Sequence, residues 1–294
     1  MTVAPGALRG GRAARLAVGQ VQGVTDRSAL VVGRPTGPGW VPLAELATPA
    51  GYAAALERAA DYYGDLATPV ARAAAASLLT GDVASAVAVP LATALVVHRR
   101  ALVIDPEDVL VRFGTAGIGA VAAPWPRVSV AVLPTDPLAG LPDAEVAADV
   151  ATLRRATATT YAACVGPLVA VTAGAARRGP GALRGELAER LSAAVALAAR
   201  GTGDPAAAPA EAEALLAAAP QWLRLPPDWV DVPVCRPGGG GADDTATSQP
   251  WKRRRVCCLA YQTARFSGEL CATCPRVSRA ETVERLSRWL SEDA

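Results

Sequence analysis

An α+β fold, mostly helical, with a small antiparallel sheet and a cysteine-rich module at its C-terminal end is the architecture this sequence predicts. Three observations predict it. Alanine-rich segments with apolar residues at helical spacing fill much of the stretch from residue 49 to residue 218. Four short runs rich in β-branched residues interrupt them between residues 101 and 133. Four of the six cysteines fall within residues 257–274.

The chain has 294 residues, enough to bury a sizeable core in one domain or two. Alanine inflates the 51% hydrophobic fraction, and aromatic residues make up only 4%. A net charge of +2 gives no footprint for nucleic-acid binding. One histidine and one methionine leave little for a Ser-His-Asp triad or a histidine-rich zinc site. The N-terminal residues include arginines but no apolar core followed by a small-residue cleavage site, so a cytoplasmic protein is expected. The longest uncharged run, residues 156–176, is rich in Ala and Thr and contains Gly166, Pro167 and Gly174. It reads as a buried helix pair, with no transmembrane segment expected and peripheral membrane association left open.

In chain order, residues 1–40 are rich in Gly, Pro and Arg, with a short strand expected at 29–33. A helix is predicted over 49–64, stopped by Gly64. Thr68 and Pro69 open a second over 70–80, closed by Gly81. Asp82 caps a third toward Val97, kinked or shortened by Pro90. Segments 101–104, 109–113, 118–122 and 128–133 read as one antiparallel meander. Helices follow at 143–164, 183–199 and 211–218. Ser278 and Glu281 form a capping-box pattern before a final helix striped by Val283, Leu286, Trp289 and Leu290. Three domain-level units are expected: a helical body over 1–235, a Gly-rich linker over 236–250 and a cysteine module over 251–294.

Cys257 and Cys258 are adjacent, residues 259–270 form a twelve-residue spacer, and Cys271 and Cys274 make a C-x-x-C pair. Thiolates at this density in a reducing compartment point to a soft metal or an iron–sulfur cluster before disulfides. A closed zinc tetrahedron accommodates adjacent ligands badly, whereas a 2Fe-2S core takes two thiolates on each of two irons. Spacing favours the iron–sulfur reading and leaves zinc as its alternative. Cys164, in an apolar helix, reads as core, and Cys235 as a spare thiol. His98, before Arg99 and Arg100, reads as a cationic helix end. The string Gly117-Ile118-Gly119-Ala120-Val121-Ala122 approaches a dinucleotide fingerprint, but Pro124 and Pro126 forbid the helix it requires, so it reads as a strand.

The string Arg255-Val256-Cys257-Cys258-Leu259-x-Tyr261, with Leu270-Cys271-x-x-Cys274-Pro275, resembles the C-terminal signature of the FhuF-like ferric-siderophore reductases. The resemblance covers about the last forty residues, and the body matches more loosely. The spacer here is twelve residues against about ten in the family, a loop change of small closure cost. The resemblance implies a 2Fe-2S cluster on Cys257, Cys258, Cys271 and Cys274 at the end of an α+β domain. It further implies one-electron reduction of a ferric siderophore, with electrons from a ferredoxin or a flavin reductase. Lys252, Arg253, Arg254 and Arg255 precede the first ligand, where positive charge favours the reduced cluster. Arg253, Arg254, Arg255 and Tyr261 are the expected substrate contacts, with Trp251 and Phe266 as further candidate walls. The alternatives are a plain 2Fe-2S electron carrier and a zinc-stabilised siderophore-binding or interaction module.

Overall fold

The computed structural model describes residues 12–22, 29–32, 38–64, 66–114, 117–123, 128–234 and 247–292. Its centre is one helix, α5, spanning Pro69–His98; before it lie α1 (Arg12–Gln22), α2 (Leu43–Leu46), α3 (Pro49–Arg58) and α4 (Ala60–Tyr63). Thr68 caps α5 by accepting a hydrogen bond from Ala71 N at 3.1 Å, with Pro69 at its first position as expected. Arg99, in the left-handed region at φ 52°, ends it.

The expected division of this segment at Gly81 and Pro90 is corrected: the helix runs through both. At Gly81 the reason is packing. A Cβ there would lie 2.3 Å from the Arg190 Nη2, so the glycine makes room for a guanidinium from another helix. Propensity is a weak prior beside burial of nearly every residue from Ala74 to Leu95. By length and composition alone α5 could cross a membrane, and 78% of its apolar window is buried inside the protein.

On α5 pack α6 (Val150–Val165), α7 (Leu168–Ala176) and α8 (Pro180–Gly201), and α9 (Ala208–Ala218) packs on α6 and α8. The uncharged run at 156–176 is a helix pair, bent by 46° at Gly166-Pro167. The helix expected from residue 143 starts only at Val150, where Asp149 Oδ1 accepts from Thr152 N at 2.7 Å. The residues before it form a strand instead.

The strands expected between 101 and 133 exist, but the single meander does not. Strand β3 (Arg100–Ile104) pairs antiparallel with β6 (Val128–Val132), and β7 (Ala144–Val146) adds parallel to β6. Strand β4 (Leu110–Gly114) pairs antiparallel with β5 (Gly117–Ala123) in a separate sheet, whose order is β1-β5-β4-β2 with β1 (Ala29–Val32) and β2 (Trp40–Pro42). A helical turn at Pro106–Asp108 separates β3 from β4, so sequence neighbours join different sheets. The fingerprint-like glycines lie in β5, as a strand. His98 closes the last turn of α5 as expected, while burial and the nearby Arg100 lower its pKa and its Nε2 is buried without a hydrogen-bond partner among the described residues.

The third sheet is the hairpin of β8 (Asp228–Val234) and β9 (Thr247–Arg253), paired from Asp228↔Arg253 to Val234↔Thr247. It joins residues on both sides of the stretch expected to be a linker, of which 236–246, with Cys235, lies outside the described residues. On it packs α10 (Arg279–Glu292), burying Val230, Val232 and Leu286 together with Trp251, Val283 and Leu290. Ser278 Oγ accepts from Glu281 N at 3.1 Å, as the capping pattern predicts, while the Glu281 carboxylate pairs with Arg285.

Two contacts seat this unit on α8. Gly185 faces Val256, the residue before Cys257, and a Cβ on it would lie 2.7 Å from Val256 Cγ2. Glu189, 3% exposed, pairs with Lys252, 8% exposed, and accepts from the Arg255 backbone N at 2.9 Å. Burial lowers the Lys252 pKa despite the attraction of Glu189, so desolvation outweighs the pair's Coulombic gain.

The variant Gly185→Ala gains about 1 kcal/mol of helix propensity and loses about 1–3 kcal/mol to overpacking against Val256. The expected net is a lower urea midpoint, recovered in Gly185→Ala/Val256→Ala; a raised midpoint in the single variant would refute the contact. The variant Glu189→Gln strands the Lys252 charge and is expected to cost about 3–5 kcal/mol in urea unfolding. Adding Lys252→Met should restore most of that loss.

Candidate metal centre

The four cysteines sit on a segment with few regular elements, and short local bonds shape it. Cys274 N donates to Cys271 O at 3.0 Å, closing the C-x-x-C turn. Arg254 N donates to Thr273 O at 2.9 Å, which lays the start of the segment alongside that turn. After the adjacent pair, Leu259 takes the left-handed region at φ 63°. This reversal aims the backbone N–H groups of Leu259 and Ala260 at the sulfurs of Cys257 and Cys258 respectively. Arg178 Nη2 donates to the Cys257 carbonyl at 2.8 Å and ties the pair to the body.

The spacer is fastened rather than loose. It makes two short helical turns, Ala260–Gln262 and Ala264–Phe266. Thr263 Oγ1 donates to Ala260 O at 2.8 Å. Ala264 packs on Gly64, where a Cβ would lie 2.7 Å from the Ala264 Cβ, and the Arg265 guanidinium lies 3.9 Å from the Tyr62 ring centre.

The thiols meet crosswise in two pairs, Cys257 with Cys274 and Cys258 with Cys271. Each pair has one buried member, Cys274 or Cys258, and one half-buried member, Cys257 or Cys271. The bond from Cys271, helped by Arg254, brings the Cys258 pKa down to about 5, and the same bond with burial raises that of Cys271. Burial raises the Cys257 pKa, against the Leu259 N–H that favours its thiolate.

Among the described residues no three His, Cys, Asp or Glu side chains converge to hold one ion. A zinc tetrahedron needs four sulfurs about 2.3 Å from a single point, whereas a 2Fe-2S rhomb needs two sulfurs at each of two points. Four gathered thiols, no three of which converge on one point among the described residues, suit the second requirement better than the first. Arg254 fits it as well: its Nη1 is buried without a hydrogen-bond partner among the described residues. Burial opposes the Arg254 charge, but Cys258 and Cys271, followed by Glu186 and Glu189, outweigh it and raise the pKa. An unpartnered cationic donor beside thiolates is what an anionic cluster requires of its surroundings.

The other expected contacts separate. Arg253 pairs with Asp228 at 3.0 Å and donates to Val277 O at 2.7 Å, so it clasps the hairpin. Arg255 is exposed at the side chain. Tyr261 is half-buried under Arg276, at 4.8 Å from its ring centre. Trp251 packs edge-on against Trp289 with ring centres 5.6 Å apart, and Phe266 lies against the core. Cys164 is buried in α6, where burial pushes its thiol up to about 12, as a core residue.

Sequence reasoning missed Arg178, Glu186 and Glu189. Glu186 is 1% exposed, bonded to Arg178 at 2.7 Å and to Ser77 Oγ at 2.9 Å. Two acids one turn apart on an Ala- and Leu-rich helix were the only signal of it.

Residues 254–276, which hold all four cysteines, match the family model of the FhuF 2Fe-2S C-terminal domain. No curated protein matches the chain. By that match the chain is FhuF-like at its C-terminal end, and the cofactor its clustered cysteines support is a 2Fe-2S cluster.

Proposed function

We propose that this protein is a ferric-siderophore reductase, with Cys257, Cys258, Cys271 and Cys274 as the cluster ligands. One observation supports it above the others: each sulfur pair has one half-buried member, Cys257 or Cys271. These four residues would hold the cluster, with Cys257 and Cys271 the ligands nearer solvent. When bound, the cluster supplies a one-electron donor.

The chain's own residues account for the rest. The exposed Arg255, and Arg276 stacked over Tyr261, put cations on the same segment. Siderophore donors are hard, anionic oxygens, so such cations attract the chelate and bring it to the half-exposed thiolates. Fe(III) held by those oxygens is bound far more tightly than Fe(II), and adding one electron releases the metal. Arg254, half-buried, would favour the more negative, reduced state of a bound cluster. No proton transfer or covalent step is required of the protein. Electrons come from an external donor, a ferredoxin or a flavin reductase, in a cytoplasmic setting.

Anaerobically purified protein is expected to show visible absorption bands that bleach with dithionite and an EPR signal on reduction. A colourless protein with one zinc per chain would overturn the proposal. Cys274→Ser should lose those bands while keeping its far-UV circular dichroism. Mixed with ferric hydroxamate, catecholate and citrate chelates, the reduced protein should yield trappable Fe(II) from at least one. Electron delivery to a redox protein but to none of the chelates would identify a plain carrier.

A further inference from the structure

Exposed arginines flank the cysteine segment, both along the chain and across its contacts with the body. Arg255 stands two residues before Cys257, and Arg276 two residues after Cys274. Arg265 lies in the spacer. From the body, Arg177 precedes Arg178, which holds the Cys257 carbonyl, and Arg184 precedes Gly185, which faces Val256. All five side chains are exposed. We propose that these arginines form a docking surface for an acidic protein that delivers electrons one at a time to the centre at Cys257 and Cys271.

Charge accounting leads there. None of the five joins an ion pair among the described residues. Arg276 stacks on Tyr261, and Arg265 meets Tyr62 at its ring and its carbonyl, all neutral partners. Most acids at this end are already matched. Glu186 pairs with Arg178 and Glu189 with Lys252. Asp228 pairs with Arg253 and Arg279, Glu281 with Arg285 and Glu284 with Arg288. Glu269 in the spacer and Asp61 in α4, which packs on the spacer, are exposed acids with no ion pair among the described residues. Two such acids against five such arginines leave the surface cationic.

Burial and spread identify the partner. Cys258 and Cys274 are 5% and 2% exposed, so a donor approaches over Cys257 and Cys271, the half-buried ligands that these arginines flank. The arginines come from separate stretches: the turn before α8, α8 itself, the end of β9, the spacer and the residues after Cys274. A single chelate meets one or two guanidinium groups, whereas cations distributed in this way match the face of a protein. Encounters between redox proteins bury little area, below about 1,200 Å², and complementary charge steers and orients them. Exposed charges raise the association rate without requiring tight binding, which suits a partner that must leave after each turnover. In the step itself the partner is oxidised by one electron and the receiving centre is reduced by one, with no bond made or broken. This deepens the reductase reading and rests on it for the centre that accepts the electron.

The test mixes the full, cluster-loaded chain with a reduced plant-type ferredoxin as the acidic probe and follows absorbance by stopped flow. The second-order rate should fall about tenfold or more between about 50 mM and about 500 mM salt. Calorimetry at the lower salt should show one ferredoxin bound per chain, with a Kd on the order of 1–100 µM. Arg177→Glu/Arg184→Glu, which leaves the cysteine segment itself unchanged, should slow the reaction about threefold to tenfold and weaken binding in parallel. Arg255→Glu/Arg276→Glu should act in the same direction. Reduction by methyl viologen, a small cation, should not slow in either variant. Ferredoxin rates and affinity unchanged in both variants, or indifferent to salt, overturn the proposal, as does reduction by free reduced flavin but not by ferredoxin. Arginine-dependent docking by a protein that reduces no chelate would leave this inference standing and remove the reductase; Fe(II) release with arginine-independent electron delivery would do the reverse.

Discussion

Glu186 and Glu189 stand one turn apart on α8, both almost wholly out of water. Burying a carboxylate costs several kcal/mol unless cations and donors meet it. The groups that meet these two come from separate parts of the chain: Arg178 before α8, Ser77 on α5, Lys252 on β9 and the backbone N of Arg255. Satisfying two charges thus sets where β9 lies against the body, and β9 leads directly into Cys257. Arg178 extends the same network to the Cys257 carbonyl. The cysteines are held by this network together with the Gly185–Val256 contact and the packing of Cys258 and Ala260 in the core.

That arrangement suits a redox centre. Thiolates need donors and nearby positive charge to stay deprotonated, and burial works against them. Here the Leu259 and Ala260 N–H groups, with the Arg254 guanidinium, counter it. One sulfur of each pair remains half-buried, and the other anchors in the core. Clasps on every side hold this geometry still. Arg253 bridges Asp228 and the backbone after Cys274, while Arg265 and Ala264 pin the spacer to Tyr62 and Gly64. A centre that exchanges electrons without changing its ligands benefits from such rigidity.

The places where the fold departs from expectation share one cause. Gly81 and Pro90 are helix breakers by local rule, yet α5 continues because Arg190 needs the space at Gly81 and the surrounding helices bury the rest. The strands at 100–104 and 110–114 are legible from their β-branched residues, yet they join different sheets, with partners the intervening turn does not dictate. Of the arginines before the cysteines, charge alone suggested one shared role. Their contacts divide them: Arg253 is a clasp, Arg254 faces the sulfurs and Arg255 faces solvent.

By itself the sequence determined the chemistry of the centre. Ligand type, an adjacent pair, a C-x-x-C pair and the length between them are local properties, and they limit the cofactor before any fold is known. Most helices and strands were legible for the same reason, since capping residues and apolar periodicity act within a few positions. Only the tertiary structure decided where the four thiols gather and which cation stands beside them. Those outcomes depend on contacts between residues tens to hundreds of positions apart, such as Lys252 with Glu189 and Arg265 with Tyr62. Spacing along a chain does not encode such pairings; the competition among buried charges for partners settles them.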